Sequence, residues 1–329
     1  MADNDNILEI RDLRIVYKTQ EGVVEALNGA SLSLKRGQTL GLVGETGAGK
    51  TTLARGIMGL IPKPPGQVVG GEIFFNGTDL LKASEHDMRK VRGAQISMIF
   101  QDPMTSLNPV MTVGEQIEEV LRAHGRSVKE AVEGAHEMLE MVGIPKERAE
   151  EYPHQFSGGM KQRIIIAIAL ACNPEFLIAD EPTTALDVTI QYQVLVMMQK
   201  LKEQFNTSML MITHDLGIVA QNCDYVAIMY AGQVVEYGAL REIFKDPRHP
   251  YTLGLFGSIP SLSEDTDRLT PIEGMPPDPT RLPTGCPFHP RCQYATEACA
   301  QWKSEAYPVG GEHTVRCLRF QPAEKREEA

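Results

Sequence analysis

The sequence predicts an α/β fold around a largely parallel sheet. Two observations carry that expectation. Short apolar runs alternate with stretches of helical spacing along the chain, the pattern of strands joined by crossover helices. One run, 38–43, opens into the glycine-rich segment GETGAGKT at 44–51 and continues as a helix over 52–58. That strand–loop–helix context makes a plain glycine-rich turn a poor explanation of the segment.

The elements follow in order. Residues 8–17 and 30–34 alternate as strands, and Arg36-Gly37 is a turn. Residues 71–77 form a further strand ending in an Asn-Gly turn. From Val113 to Val142 the apolar residues fall at helical spacing, with Val113, Ile117, Val120 and Leu121 on one face. Ser157 is suited to cap the helix that follows it. Residues 176–180 (FLIAD) and 208–213 (SMLMIT) are buried strands, with a helix over 189–205 between them. Tyr225–Met229 and 234–237 flank Ala231-Gly232 as a hairpin. A boundary falls near Pro260, because ten of the 21 prolines lie from there onward and regular periodicity stops. Such a tail cannot easily bury a core of its own. The closing residues 323–329 are expected to fray. No internal repeat is present in the sequence.

Composition narrows the function. A net charge of −11 argues against a nucleic-acid binder, which usually shows a basic face. The acidic opening MADND lacks the apolar core of a signal peptide. The longest apolar run, 164–172, is too short to cross a bilayer. A cytosolic chain that could sit on a membrane protein, but not in the membrane, is expected.

The chemistry concentrates in three places. In 44–51 the glycines let successive N–H groups point at a triphosphate, Lys50 reaches its outer phosphates, and Thr51 offers a hydroxyl to Mg²⁺. Gly44, Glu45, Thr46, Gly47, Ala48, Gly49, Lys50, Thr51 and Thr52 are therefore the candidate nucleotide contacts. Asp180 and Glu181 close a strand, so Asp180 is placed to help hold Mg²⁺ and Glu181 to polarise water toward the γ-phosphate. A plain helix cap is the alternative. Ser157, Gly158 and Gly159 open a helix whose N–H groups make a second anion site.

Taken in order, 44–51, Gln101, 157–162, Asp180-Glu181, Asp187 and His214 resemble the motif set of the ATP-binding cassette ATPases, over roughly 7–245. The resemblance implies a P-loop NTPase of ABC type, with an antiparallel β-subdomain, a RecA-like core and a helical subdomain at about 103–172. The nucleotide-binding domain would cover 1–259, and 260–329 would be a small irregular extension. Met160 stands where the family usually has Gln. By the same resemblance Tyr17 stacks on adenine, Gln101 contacts Mg²⁺ and the attacking water, Asp187 belongs to the loop that crosses the dimer interface, and His214 reads the γ-phosphate. The plain alternatives are a core aromatic, an exposed amide and the cap of the helix beginning at Val188. Two cassettes bind head to tail in this family, so an isolated monomer should hydrolyse poorly.

The segments 152–159 (YPHQFSGG) and 246–252 (DPRHPYT) resemble importer cassettes and, more narrowly, the dipeptide and oligopeptide permease ATPases, closest to the dipeptide type. That implies an ATP-hydrolysing subunit of a peptide importer. It would pair with a second cassette, heterologous in the cell or identical in isolation, beneath two transmembrane permease subunits on the cytoplasmic face of the membrane. An extracytoplasmic binding protein would deliver the peptide. Nickel-importing relatives share these motifs, and a soluble cassette ATPase is the rival of another class.

Of six cysteines, Cys172 and Cys223 sit among apolar residues and read as packing. Cys286, Cys292, Cys299 and Cys317 lack the close pairs of a structural zinc site. Four irregularly spaced thiolates can hold an iron–sulfur cluster, and some dipeptide-permease ATPases are similar to this chain in carrying a 4Fe–4S cluster there. Zinc and unliganded thiols are the alternatives. His289 and His313 read as solvated or packing residues. Metal at the four cysteines is expected to staple the proline-rich extension.

Overall fold

The computed structural model describes residues 5–102, 106–184, 186–258 and 272–322. Ala185, the expected boundary at Pro260 and the frayed end at 323–329 lie outside them. The chain divides into two compact units, one of 1–8, 34–40 and 75–213, the other of 9–33, 41–74 and 214–329.

In the first unit, β6 (Ile96–Ile99), β7 (Phe176–Asp180) and β8 (Ser208–Ile212) pair in parallel with β7 in the middle, Phe176 facing Ile96 on one side and Ser208 on the other. All three strands are buried throughout, which is why they read as continuous apolar runs rather than alternation. The stretch expected to be helical over 113–142 is two helices, Val113–Ala123 and Val128–Met141. Gly125 at φ +89° breaks it, and each helix opens on a capping box, Thr112 with Glu115 and Ser127 with Glu130. The Ser-x-x-Glu at 127–130 was the readable sign of the second start. A helix over Gly158–Leu170 follows Ser157, and another covers Val188–Phe205 and stops at Asn206 in the left-handed region (φ +50°).

The second unit holds most of the long strands β1 (Asn6–Thr19) and β2 (Gly22–Lys35), whose two-residue link joins them as a hairpin. β3 (Thr39–Val43) runs into the helix Lys50–Ile57, and β4 (Gly66–Phe75) ends at the expected turn, with Asn76 and Gly77 both at positive φ, after which comes the two-residue β5 (Thr78–Asp79). β9 (Tyr225–Tyr230) and β10 (Gln233–Ala239) form the expected antiparallel hairpin. Ala231 and Gly232, at φ +46° and +77°, make the two-residue turn that suits the strand twist.

The extension differs from the irregular, metal-held tail expected. It adds β11 (Tyr307–Gly310) and β12 (His313–Val315) to the sheet, β12 pairing antiparallel with β10 and β11 with β12. Strands of three and four residues, one carrying Pro308, are too brief to show periodicity. Side chains reinforce the pairing. Glu236 on β10, fully buried, accepts hydrogen bonds from the Arg248 N–H at 2.7 Å and the His249 N–H at 2.9 Å, and pairs with His313 Nε2 at 2.7 Å. Phe288 packs on Tyr230 and Tyr251, with ring centroids 5.2 and 5.5 Å away. Aromatic pairs of this kind contribute ~1 kcal/mol each beyond their burial. Hydrogen-bonded strands, a buried carboxylate and an aromatic cluster therefore hold this segment. Among the described residues, no group of three or more His, Cys, Asp or Glu side chains is set to hold a metal ion, so the expected staple is not what the structure shows. No helix among them is long and apolar enough to cross a membrane.

His249 is buried and its Nδ1 accepts the Tyr251 N–H, and burial pushes its pKa down to about 4. The unfolded imidazole gains a proton below about 6.5 and the folded one does not, so stability falls as pH drops from 6.5 toward 4. The loss from this group is on the order of 3 kcal/mol. Urea melts of wild type and His249→Gln at pH 7.5, 6 and 5 check this, the variant giving the shallower dependence across that window.

Candidate nucleotide and catalytic site

The second unit builds the phosphate-binding loop. Residues 44–49 leave β3 and reach the helix at Lys50 with Gly47 and Gly49 at φ +84° and +101°. Gly44 and Gly49 are also required by close approach. A Cβ at Gly44 would stand 2.1 Å from the Met229 carbonyl oxygen, and one at Gly49 would stand 2.5 Å from that of Ala26. The loop is tied down at Ala48, whose carbonyl accepts the Gly232 N–H at 3.0 Å, and at Glu45, whose N–H donates to the Tyr251 hydroxyl at 2.9 Å. Gly49 caps the helix without a side-chain acceptor, leaving the first-turn N–H groups, including those of Thr51 and Thr52, directed out of the helix end. Lys50 is buried, and its Nζ donates to the carbonyls of Gly44 (2.7 Å) and Glu45 (3.0 Å). Thr46, Gly47 and Ala48 line a cavity of about 230 Å³ with Tyr230 and Pro277. Tyr17, half-buried on β1, lies against Gly66, where a Cβ would stand 2.9 Å from its ring. His214 is exposed and precedes Asp215, which caps the helix Leu216–Asn222 through the N–H groups of Gly217 and Ile218.

The first unit carries the carboxylates. Asp180 ends β7 and is 1% exposed. Glu181 turns into the left-handed region at φ +49°, and its N–H donates to the Ile212 carbonyl at 2.9 Å. Such a conformation costs a non-glycine residue about 1 kcal/mol or more. Its carboxylate Oε2 accepts from Gln101 Nε2 at 3.3 Å and from the Thr184 hydroxyl at 3.0 Å. The structure thus brings Gln101 and Glu181 together and adds Thr184, which the sequence reading missed; a hydroxyl three residues past the acid was its signal.

Ser157 caps its helix, its Oγ accepting the Met160 N–H at 3.4 Å. Nothing lies within 4 Å of a Cβ at Gly158, whereas one at Gly159 would meet Ile190 Cγ2 at 2.6 Å. These residues line a cavity of about 550 Å³ with Met160, Arg163 and Asp187. Met160 is engaged by Arg148, which donates to its sulfur at 3.6 Å, lies 4.2 Å over the Phe156 ring and pairs with Glu151 at 2.6 Å. Asp187 caps the helix Val188–Phe205 through the Ile190 N–H at 3.1 Å, as the plain reading had it.

The four distal cysteines converge. Cys286, Cys292, Cys299 and Cys317 line one small cavity together with His249 and Trp302. Burial pushes the Cys286 thiol up to about 12, with the other three adding to it, and raises Cys292 and Cys317.

The chain is similar to known proteins over most of its length. Residues 27–184 match the family described as ABC transporter, and 235–299 match the oligopeptide/dipeptide transporter C-terminal region. The oligopeptide transport ATP-binding protein OppD of Bacillus subtilis is 52% identical over 320 residues, covering 96% of this chain and 89% of that one. OppD of Escherichia coli is 49% identical (98% and 95%), and the dipeptide transport ATP-binding protein DppD of B. subtilis 48% identical (97% and 97%). Among solved structures, a dimeric ATP-binding cassette in a post-hydrolysis state with ADP and Pi is similar at a TM-score of 0.64 and 28% identity, covering 71% of this chain and 99% of that one.

The loop geometry separates two glycines. Gly47→Ala meets open space and costs about 1 kcal/mol of backbone strain. Gly49→Ala adds a backbone clash and costs ~3 kcal/mol or more. Denaturant melts rank the two, and fluorescent ATP titration finds binding weakened far more in Gly49→Ala.

Proposed function

The chain belongs to the ATP-binding subunits of the oligopeptide and dipeptide ABC transporters, and from that premise we propose how its residues divide the work of an ATPase that energises peptide import. The observation that carries the proposal is Glu181, held in a left-handed turn at the end of β7 by Gln101 and Thr184. The loop from Gly44 through Gly49 and the helix start at Lys50, Thr51 and Thr52 bind the phosphates of ATP, Lys50 offsetting their charge. Tyr17 supplies an aromatic face for adenine. Glu181 accepts a proton from water as that water's oxygen bonds to the γ-phosphorus, and ADP leaves with the bridging oxygen. Gln101 and Thr184 orient that carboxylate, and His214 reads the γ-phosphate. Thr51, Asp180 and Gln101 are the residues to hold Mg²⁺, and the buried Asp180 carboxylate at a strand end suits a hard cation. When bound, Mg²⁺ offsets phosphate charge.

Ser157, Gly158, Gly159 and Asp187 serve the nucleotide of a second cassette. That cassette is a related subunit in the cell, and a second copy suffices in isolation. Two membrane permease subunits and an extracytoplasmic peptide-binding protein complete the transporter, with this subunit peripheral on the cytoplasmic face. Residues 1–259 form the nucleotide-binding domain in this reading, with a helical subdomain near 103–172, and 260–329 the extension.

The four converging thiols suit a 4Fe–4S cluster better than zinc. They share one cavity, and their irregular spacing lacks the close pairs of a structural zinc site. Cys286, Cys292, Cys299 and Cys317 would hold the cluster, whose positive irons relieve the cost of burying thiolates.

Glu181→Gln is expected to leave ATP binding intact and to lower turnover about 10²–10⁴-fold, read as phosphate release by the assembled transporter. Retained turnover removes Glu181 from the base role. Protein purified without oxygen is expected to carry about four irons and four sulfides per chain; stoichiometric zinc would replace the cluster assignment.

A further inference from the structure

Arg291, one residue before Cys292, joins the extension to the phosphate-binding loop. Its side chain is 6% exposed. Nη1 donates to Glu45 Oε2 at 2.9 Å and Nη2 to Glu45 Oε1 at 3.2 Å. Nε donates to the Glu273 carbonyl at 3.1 Å, and Nη1 also reaches the Tyr230 hydroxyl at 3.3 Å. Two parallel bonds between a guanidinium and a carboxylate are the strong form of this pairing. Glu45 is the second residue of the loop, and every polar group it has is engaged. Its N–H donates to the Tyr251 hydroxyl, its carbonyl accepts from Lys50 and its carboxylate is gripped by Arg291.

Left alone, that carboxylate would work against the loop. The neighbouring N–H groups and Lys50 are arranged for a polyphosphate, and a negative charge in their midst repels one. An unpaired carboxylate would also compete for Lys50. We propose that Arg291 is a positioning residue for nucleotide binding: it neutralises Glu45, fixes it against Tyr251, and so sets the affinity of the loop for the triphosphate. Nucleotide affinity then depends on the extension through one arginine. The inference rests on the reading of 44–51 as the ATP site.

The test uses the full chain and MgATP, with Kd read by displacement of a fluorescent ATP analogue and folding checked by thermal melts without nucleotide. Arg291→Ala weakens binding about tenfold, since exposing the loop to one uncompensated charge is worth about that factor. Adding Glu45→Gln to Arg291→Ala restores Kd to within about threefold of wild type, because the repelling charge is gone. Glu45→Gln alone, with the guanidinium now unbalanced beside the loop, tightens binding about threefold. A merely structural arginine would lower the melting temperature in both Arg291→Ala proteins with no rescue of Kd, and that result overturns the proposal. So does an unchanged Kd in Arg291→Ala. If Arg291→Ala does not fold, Glu45→Gln alone decides, and unchanged or weaker binding rejects the idea. Wild type that fails to bind MgATP removes the nucleotide reading itself, whereas wild-type binding indifferent to Arg291 removes this inference alone.

Discussion

A loop that offers its N–H groups to an anion cannot spend them on its own ladder, so its shape must be fixed from outside. That constraint organises the second unit. Gly44 and Gly49 allow backbone to pass within contact of Met229 and Ala26, the Gly232 N–H holds Ala48, and Tyr251 and Arg291 hold Glu45. The hairpin of β9 and β10 and the aromatic cluster beyond it therefore help to fix the shape of this loop. In the first unit the same logic runs through side chains. Glu181 has left the strand for an unfavourable φ, and Gln101 and Thr184 hold its carboxylate there.

The extension shows how a sequence with little apolar periodicity can still be ordered. It borrows a core rather than making one, laying Phe288 on Tyr230 and Tyr251 and pairing β12 with β10. The buried Glu236 is the polar keystone of that docking, since its two oxygens satisfy two backbone N–H groups and His313. A buried charge of this kind is tolerated when its lone pairs are met. The same segment gathers four cysteines around one cavity.

What was legible in the sequence were features with a strong local cause. The loop 44–51, the buried strands 176–180 and 208–212 and the Ala231-Gly232 hairpin follow from backbone requirements or unbroken apolar runs. Gln101 and Glu181, 80 positions apart, were named separately from motif order, and the structure joins them. The short strands β6, β11 and β12 were not legible, because three or four residues cannot display a period and their stability comes from partners distant in sequence. Arg291 was missed for the same reason: in sequence it is an unremarked arginine between two cysteines, and its meaning lies in a carboxylate 246 positions away.

β11 is the outermost strand of its sheet. It is four residues long and carries Pro308, so its free edge offers little to another chain. Beneath it, β10 is almost wholly buried and apolar along Val234-Val235. Removing the last strands would uncover that edge, a run of unpaired N–H and carbonyl groups flanked by valines, which is a template for intermolecular pairing. The segment that gathers the thiols thus also covers a sheet edge of the kind that invites intermolecular pairing.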